Sequence, residues 1–413
     1  MSERSGQDRE GAGRPVNPQE IHSRIENLRG RVVLPTCDPE DLARPVEEVI
    51  RVDAEGQRSK LTLVEGGEDV SWATVVDLEQ QIGRDTICLG GIAGVNTPEK
   101  HRFRGHSRRV LENALRWMRQ NGFQASMLYG IPSYYPKFGY IGAFPRPTIS
   151  VKVRDAETVG RVGHPVVPFQ AEEHLEAVLE MYHCVNRNRT GVTRRDPDTW
   201  DPFRKGRRWN SGAIVKVAVD ADGSPAGYIV FDDAHFTATV IEVGCSAGTV
   251  CGDLLRVAAD YAWEQRLETI DFLLPEDHAF VEYLKEIGFR KTVVAARDGG
   301  PMVRMLNIPE ALGRICRELA SRMPAYPGDL TIRTNLDDVT VAWNQEGVRV
   351  CDARPASLTA TMPQWALAQL FYGVRTPDSL AAHGHVTASA QALAALRQFF
   401  PVRPHFHYPV DAF

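Results

Sequence analysis

Basic residues crowd around a single glycine in a chain of 413 residues whose formal net charge is -5. The basic side chains belong to Lys100, Arg102, Arg104, Arg108 and Arg109, and the glycine is Gly105. A glycine lets the backbone approach a ligand closely, and positive charge beside it attracts anions. This spacing indicates a cradle for a phosphate-bearing ligand, although the solvated basic start of a helix would show the same residues.

Hydrophobic periodicity on both sides of the patch predicts the elements that position it. Short runs rich in β-branched residues at 59–65, 70–82 and 86–95 are separated by Gly and Asp turns, which predicts an antiparallel meander. Apolar residues at three- and four-residue spacing predict a helix over Ser107–Gln120, and a strand follows at Ala125–Ile131. The patch therefore lies at a helix N-terminus, where unpaired backbone N–H groups and the helix dipole favour an anion.

The order of these elements and two motifs resembles the GNAT family of acetyl-CoA-dependent N-acetyltransferases. The strand GGIAGV, the basic loop, the helix and the next strand are followed by YYPKFGY at Tyr134–Tyr140. The family's loop pattern is Arg/Gln-x-x-Gly-x-Gly/Ala. Arg102 and Gly105 match it, and Ser107 stands where Gly or Ala is usual. The resemblance implies acetyl-CoA as the co-substrate.

The same resemblance assigns residues to an acetyl-CoA site. Backbone N–H groups of 103–108 would hold the CoA pyrophosphate, with arginines adding charge. The strand end at 93–95 would pair with the pantetheine arm and polarise the thioester carbonyl. The expected cofactor-binding residues are Ala93, Gly94, Val95, Arg102, Phe103, Arg104, Gly105, His106, Ser107, Arg108, Gly130 and Ile131.

Tyr135 is implied as the catalytic general acid that protonates the departing CoA thiolate. A phenol has an ordinary pKa of about 10, so it is protonated at neutral pH and can supply that proton. Tyr134 is the alternative acid, but the distance to Gly139 within the motif favours Tyr135. A core tyrosine with a satisfied hydroxyl is the structural alternative.

A second passage, which starts near Val166, repeats this plan without its chemistry. Its closing run, YLKEIGF, puts Leu284 where Tyr135 stands, and the loop SAGTVCGD at 246–253 has no basic residue. We interpret the passage as a duplicated domain that has lost catalysis. Chance similarity between two mixed sheets is the alternative.

Beyond Asn307, short strands and two helices, at Pro363–Tyr372 and Ser389–Phe399, resemble the sterol-carrier-protein-like fold. The predicted fold class is α+β: two tandem GNAT-type mixed-sheet domains followed by a sterol-carrier-protein-2-like α+β domain. The predicted bounds are a disordered segment at 1–20, a catalytic domain at 21–155, a degenerate second domain at 156–305 and a sterol-carrier-like domain at 306–413.

This ordered combination resembles the Eis (enhanced intracellular survival) type of acetyltransferase. In that type the C-terminal carboxylate takes the proton from the amine, which assigns the base to the carboxylate of Phe413. An α-carboxylate has a pKa of about 3.5 and must be desolvated to become a useful base. A frayed tail is the alternative, but HYPVDAF is rich in large apolar residues. The resemblance also implies a homo-oligomer such as a hexamer, and as acceptor a primary amine of an aminoglycoside, a polyamine or a lysine.

Composition narrows the partner and the compartment. Mild acidity argues against nucleic acid, which binds wide basic faces. The longest uncharged run, 355–374, is broken by Pro363 and polar residues, so no membrane span is predicted. Seven scattered cysteines without a CxxC pair, and a charged N-terminus without an apolar core, favour the cytoplasm over export.

Two other clusters are weaker candidates for chemistry. The pairs His383-x-His385 and His405-x-His407 lack a third ligand at a fixed spacing, so no metal is expected. Cys88 fits a structural thiol better than a nucleophile, because it lies in an apolar strand. Direct transfer in a ternary complex is therefore expected, rather than a two-step mechanism.

A non-catalytic binding protein, whose C-terminal domain holds an apolar ligand, is the second hypothesis. The aromatic residues that fit either such a cavity or an ordinary packed core are Trp365, Phe371, Phe399 and Phe400. The Arg102/Gly105 loop and Tyr135 occur in one copy and not in the other, and this asymmetry favours the enzyme.

Overall fold

The computed structural model describes residues 42–413, with short gaps at 160–162, 208–209, 246–247 and 297. The segment 1–20, for which disorder is predicted, lies outside the described residues. In the described part of the chain, no helix is both long and apolar enough to cross a membrane.

The first sheet has seven strands in the order β1-β2-β3-β4-β5-β14-β6. Their bounds are β1 Ile50–Glu55, β2 Arg58–Glu65, β3 Glu68–Ile82, β4 Asp85–Asn96, β5 Ala125–Gly130, β6 Ile141–Gly142 and β14 Gly300–Met305. Strands β2, β3 and β4 form the predicted antiparallel meander, β1 extends it by one strand, and β4 runs parallel to β5. Helix α1, His106–Gln120, makes the crossover that a parallel pair requires.

Helix α1 is the amphipathic helix that the apolar spacing predicts. The residues of that spacing, Val110, Leu111, Ala114, Leu115 and Met118, are all at least 98% buried. Gly90 of β4 provides the room for Met118, because a β-carbon at Gly90 would overlap the Met118 side chain. The helix therefore packs directly onto the strand that ends at the predicted acetyl-CoA site.

The second sheet has the strand order β13-β7-β12-β11-β10-β9-β8. Its strands are β7 Arg146–Lys152, β8 Val166–Pro168, β9 Ala213–Val219, β10 Pro225–Asp232, β11 Thr239–Cys245, β12 Thr269–Phe272 and β13 Arg290–Val294. The helices of this part are α2 Val153–Ala156, α3 Ala171–Val185, α4 Gly248–Glu264 and α5 Ala279–Leu284. The parallel pair β11 and β12 is joined by α4, as β4 and β5 are joined by α1. This repeated plan supports the duplication inferred from the sequence.

The first and second sheets each contain one strand from the sequence segment that forms most of the other sheet. Strand β7 precedes residue 155 yet pairs with β12 and β13 in the second sheet. Strand β14 ends at residue 305 yet pairs with β5 and β6 in the first. The domain bounds at 155 and 305 stay predictions, and the exchange shows that neither sheet is complete without the other segment.

The third sheet has five strands in the order β17-β16-β15-β18-β19. Its strands are β15 Gly328–Arg333, β16 Asp338–Asn344, β17 Gly347–Asp352, β18 Leu358–Thr361 and β19 Thr387–Ala388. The accompanying helices are α6 Ile308–Arg314, α7 Cys316–Ala320, α8 Gln364–Phe371, α9 Pro377–Ala382 and α10 Ala390–Phe399. Helix α8 packs against β14 of the first sheet, so the C-terminal domain supports the first sheet.

Candidate active site

Strands β4 and β5 pair only over part of their length and then diverge. Their last paired residues are Ile92 and Leu128. Beyond that point β5 pairs with β14 on its other side, through Tyr129 to Pro301 and Gly130 to Gly300. The divergence leaves an open edge at the end of β4, where a strand-like ligand can pair with the backbone.

A β-bulge lies at this open edge. The pairing of β3 with β4 shifts by one residue between Ala93 and Asn96, and Gly94 has a φ of 56°. A left-handed φ is strained for most residues but not for glycine. A bulge leaves one residue outside the ladder and turns the strand, so at the predicted positions 93–95 backbone groups are directed away from β3.

The basic loop leads directly into α1. Gly105 is the N-cap of the helix with a φ of 83°, and Phe103 also has a positive φ of 64°. No acidic residue occupies the first turn, and Phe103 and Arg104 are exposed. The first N–H groups of a helix have no intrahelical partner, so this end of α1 suits an anion.

The five basic residues of the patch divide into two groups. Lys100 pairs with Glu68 at 2.8 Å, and Arg109 pairs with Glu65 at 2.7 Å and with Glu47. These two charges are therefore neutralised within the protein. The remaining members, Arg102, Arg104 and Arg108, are exposed and form no ion pair within the described ranges.

The two neighbouring tyrosines have different surroundings. The hydroxyl groups of Tyr134 and Ser107 form a 2.8 Å hydrogen bond, which ties Tyr134 to the start of α1. The Tyr135 hydroxyl has no hydrogen-bond partner among the described residues, whereas burial raises the pKa of both tyrosines above the ordinary value. A protonated, unpaired hydroxyl is what a general acid needs, and the structure thus supports the preference for Tyr135 over Tyr134.

Gly130 and Gln364 support the turn that carries Tyr135. A β-carbon on Gly130 would lie 2.8 Å from Cδ2 of Tyr135, so the ring rests on this glycine, and Ile131 next to it is 62% exposed. Tyr135 begins a 3₁₀ helix that ends at Gly139, and the Gln364 amide of α8 donates to the Gly139 carbonyl at 2.6 Å. The C-terminal domain thus reaches the turn that carries the predicted acid.

The last residue, Phe413, lies on the sheet at the same divergence. Its ring atoms lie 2.8 Å from where a β-carbon of Gly91 would be, and its ring is 5.9 Å from that of Tyr129. Consecutive strand residues face opposite sides. Gly90 and Gly130 face α1 and Tyr135, whereas Gly91 and Tyr129 face Phe413. The predicted acid and the predicted base therefore lie on opposite faces of the split sheet.

A buried charge cluster anchors the tail that carries Phe413. Arg195 is fully buried and binds Asp411 at 2.9 Å and Glu242 at 2.7 Å, and its guanidinium stacks on the Tyr182 ring at 3.7 Å. The apolar tail residues Phe406, Tyr408 and Val410 are buried in the hydrophobic core of the second sheet. The frayed-tail alternative is therefore wrong.

The second copy shows what the sequence predicts at the corresponding positions. Leu284 ends α5 and is completely buried, and its hydrocarbon side chain has no proton to donate. The loop at 246–253 overlaps the gap at 246–247.

Cys88 is half-buried in β4, and burial raises its thiol pKa, which favours a structural role. In the described ranges, no group of three His, Cys, Asp or Glu side chains is arranged to hold a metal.

Two family models match parts of the chain. Residues 40–142 match the acetyltransferase (GNAT) domain family, and residues 326–407 match the sterol carrier protein domain family. The chain carries a GNAT acetyltransferase domain and a C-terminal sterol carrier protein domain. No curated protein sequence matches the chain significantly.

Three solved structures share the fold. A probable N-acyltransferase of Enterococcus faecalis V583 is 14% identical with a TM-score of 0.72, over 86% of this chain and 90% of that one. A GCN5-related N-acetyltransferase from Anabaena variabilis is 16% identical with a TM-score of 0.68, over 96% and 98%. Eis1 from Mycobacterium abscessus is 17% identical with a TM-score of 0.60, over 96% and 98%. The predicted fold class is confirmed, and the likeness extends over nearly the whole chain.

Sequence reasoning missed several residues that position the GNAT site. Gly91 and Tyr129 receive Phe413, Arg195 anchors its tail, and Gln364 supports the Tyr135 turn. A glycine pair in a strand is a signal of close approach, so Gly90-Gly91 was detectable. The other contacts join distant parts of the chain and leave no local signal.

Proposed function

We propose that this protein is an acetyl-CoA-dependent N-acetyltransferase that acetylates a primary amine by direct attack in a ternary complex. The observation that carries the proposal is the placement of Tyr135 and Phe413 on opposite faces of the sheet where β4 and β5 diverge. A thioester held in that gap has an acid on one side and a base on the other.

The first sheet supplies the sites for the CoA moiety. The N-terminus of α1, with Arg102, Arg104 and Arg108, would bind its phosphates. The bulge at Gly94 would pair with the pantetheine arm, and a backbone N–H at this edge would stabilise the oxyanion of the thioester carbonyl. Ser107 in the place of Gly or Ala is accommodated, because its hydroxyl turns toward Tyr134.

In the transfer step, Phe413 and Tyr135 have opposite roles, as base and as acid. The acceptor nitrogen attacks the carbonyl carbon, and the carbon–nitrogen bond forms as the carbon–sulfur bond breaks. The carboxylate of Phe413 takes the proton from the amine, and Tyr135 gives its proton to the sulfur. Proximity in the ternary complex lowers the entropic cost of bringing the two substrates together.

The described residues give less support to the ligand-carrier alternative. Trp365, Phe371, Phe399 and Phe400 are at least 96% buried within the core that the first and third sheets share. They act as packing residues there.

The six described cysteines are unpaired, which supports the proposal of a reducing, cytoplasmic location. A homo-oligomer stays a prediction.

Calorimetric titration with acetyl-CoA tests the cofactor site. We expect one site per chain in the wild type. Gly105→Asp and Gly105→Asn are a matched pair, because both side chains tolerate a left-handed φ but only Asp adds a negative charge. Binding should be lost or greatly weakened in Gly105→Asp and be largely kept in Gly105→Asn. A wild type that does not bind acetyl-CoA would exclude the acetyltransferase function.

A further inference from the structure

Phe413 forms part of the wall of two cavities. The first, which we name the basic cavity, has a volume of about 470 Å³, and Arg146, Lys205 and Arg207 contribute to its lining. The second has a volume of about 410 Å³, and Arg58, Arg204 and four acidic residues contribute to its lining. Both cavities also include Ala412 and Lys205. Both cavities therefore offer an acceptor an approach to Phe413.

The basic cavity exists because the two sheets exchange strands. Arg146 begins β7, which leaves the first sequence segment to join the second sheet. Tyr129 at the end of β5 and Val294 at the end of β13 also line the cavity. Lys205 and Arg207 enter from the loop before β9. Cations from two segments thus converge beside the last residue.

The lining of this cavity is positively charged. Among the described residues, no aspartate or glutamate lines it, so Phe413, which carries the terminal carboxylate, brings its acidic group. Arg146 and Arg207 are exposed and form no ion pair within the described ranges. Burial, aided by the charges of Arg204 and Arg58, lowers the pKa of Lys205 to about 8. Cations that are crowded in this way attract an anion into the cavity and repel a further cation.

The remaining wall is mostly apolar. It includes the rings of Tyr129 and Phe144 and the side chain of Leu273. His407 also lines it, and its Nδ1 is bonded to the Gly191 carbonyl oxygen at 3.0 Å while burial lowers its pKa. The lowered pKa favours the neutral form of this histidine. An apolar wall with cations on one side suits a short aliphatic chain that ends in an acidic group.

We propose that the basic cavity binds an acidic group of the acceptor, so that the acceptor is an amine that also carries a carboxylate or a phosphate. The inference rests on the proposed function and assigns the substrate class of the same site. Such a molecule would place its acidic group at Arg146 and Arg207 and its amine at Phe413. A polycationic amine would meet like charges in this cavity.

Acceptors of equal chain length test the proposal. Initial rates of CoA release are measured with 5-aminopentanoate, pentylamine and cadaverine, which end in a carboxylate, a methyl group and an ammonium group. A phosphonate of similar length, 4-aminobutylphosphonate, distinguishes the two kinds of acidic group. We expect kcat/KM for 5-aminopentanoate or the phosphonate to exceed that for cadaverine at least tenfold. Equal values, or a preference for cadaverine, would overturn the proposal.

Substitutions locate the effect in the cavity. Arg146→Gln and Arg207→Gln should lower the ratio of kcat/KM for the acidic acceptor to that for pentylamine at least fivefold, mainly through KM. The control is Arg154→Gln, because Arg154 is a largely exposed arginine of α2 that does not line the cavity. A ratio that stays at the wild-type value in both cavity variants would contradict the assignment.

Measurements of acceptor binding distinguish a failure of this inference from a failure of the proposed function. Calorimetry with 5-aminopentanoate and cadaverine needs no turnover. If no acceptor releases CoA but the amino acid still binds more tightly than cadaverine, and Arg146→Gln removes this difference, the acetyltransferase function fails and the anion site stands. Absence of both turnover and selective binding would overturn the inference as well.

Discussion

The ring of Phe413 packs on the backbone of Gly91, a residue in the middle of β4. No side chain larger than hydrogen fits at position 91 without displacing that ring, because a β-carbon would lie 2.8 Å from its atoms. The contact holds the end of the chain on the strand that leads to the proposed acetyl-CoA site. It also yields a direct test of the predicted base.

Gly91→Ala should displace Phe413 and lower kcat at least tenfold, with acetyl-CoA affinity nearly unchanged. Gly313→Ala is the matched control, because Gly313 lies in α6 and a β-carbon there meets no other atom within 4 Å. That control should stabilise the protein by up to about 1 kcal/mol. Steady-state kinetics and calorimetry measure both quantities. Full activity in Gly91→Ala would show that the position of Phe413 is unimportant.

A one-residue extension after Phe413 should also abolish most turnover. One added residue moves the terminal carboxylate by roughly 3.5 Å, which is beyond hydrogen-bond reach of the amine. Thermal unfolding checks that the extended protein remains folded, because the buried residues 406–411 are unchanged. An extended protein with wild-type kcat would exclude the carboxylate of Phe413 as the base.

Tyr135→Phe should lower kcat about 100-fold or more, since a general acid typically contributes that much. Its acetyl-CoA affinity should change little, because no described residue bonds to the lost hydroxyl. Tyr134→Phe is the informative comparison. It removes the hydrogen bond to Ser107 at the start of α1 and should therefore weaken acetyl-CoA binding more than it lowers kcat. The opposite pattern would assign the acid to Tyr134.

Asp411→Asn should detach the tail from Arg195. The substitution leaves a buried guanidinium with Glu242 as its remaining carboxylate, which we expect to cost on the order of 3 kcal/mol of folding stability. Asp378→Asn breaks an exposed pair with Arg397 and should cost less than about 1 kcal/mol. Urea unfolding compares the two variants. Equal, small losses would show that the buried cluster is not what anchors the tail.

Acid should destabilise the protein through His278. Burial, aided by the charge of Arg189, lowers its pKa to about 4, and its neutral ring accepts from the Phe280 N–H and donates to the Val243 carbonyl. In the unfolded chain the same group titrates near 6.5. The unfolded state therefore binds more protons below pH 6.5, so the stability is fully present above that pH and falls as the pH drops toward 4.

The expected loss from His278 is roughly 2 kcal/mol between pH 7.5 and pH 5. His278→Asn, which retains an N-cap acceptor, should show a smaller loss over that interval when urea midpoints are compared. His235→Asn, at an exposed histidine, is the control. An unchanged pH dependence in His278→Asn would exclude this histidine as the source.

The sequence by itself determined the elements and the local chemistry. The spacing of Val110 to Met118 predicts α1, because side chains repeat every 3.6 residues in a helix. Runs rich in β-branched residues, separated by Gly and Asp turns, predict β2 to β4. The loop around Gly105 and the Tyr135 motif depend on neighbours in sequence, and both lie where the pattern predicts.

Only the tertiary structure decided which strands share a sheet and what meets at the site. The exchange of β7 and β14, the contact of Phe413 with Gly91 and the convergence of Arg146 with Lys205 and Arg207 all join distant segments. Such contacts depend on the shape and burial of whole faces, and no periodicity along the chain encodes them. The kind of chemistry could therefore be predicted from the sequence, whereas the position of the proposed base and the charge of the proposed acceptor cavity required the fold.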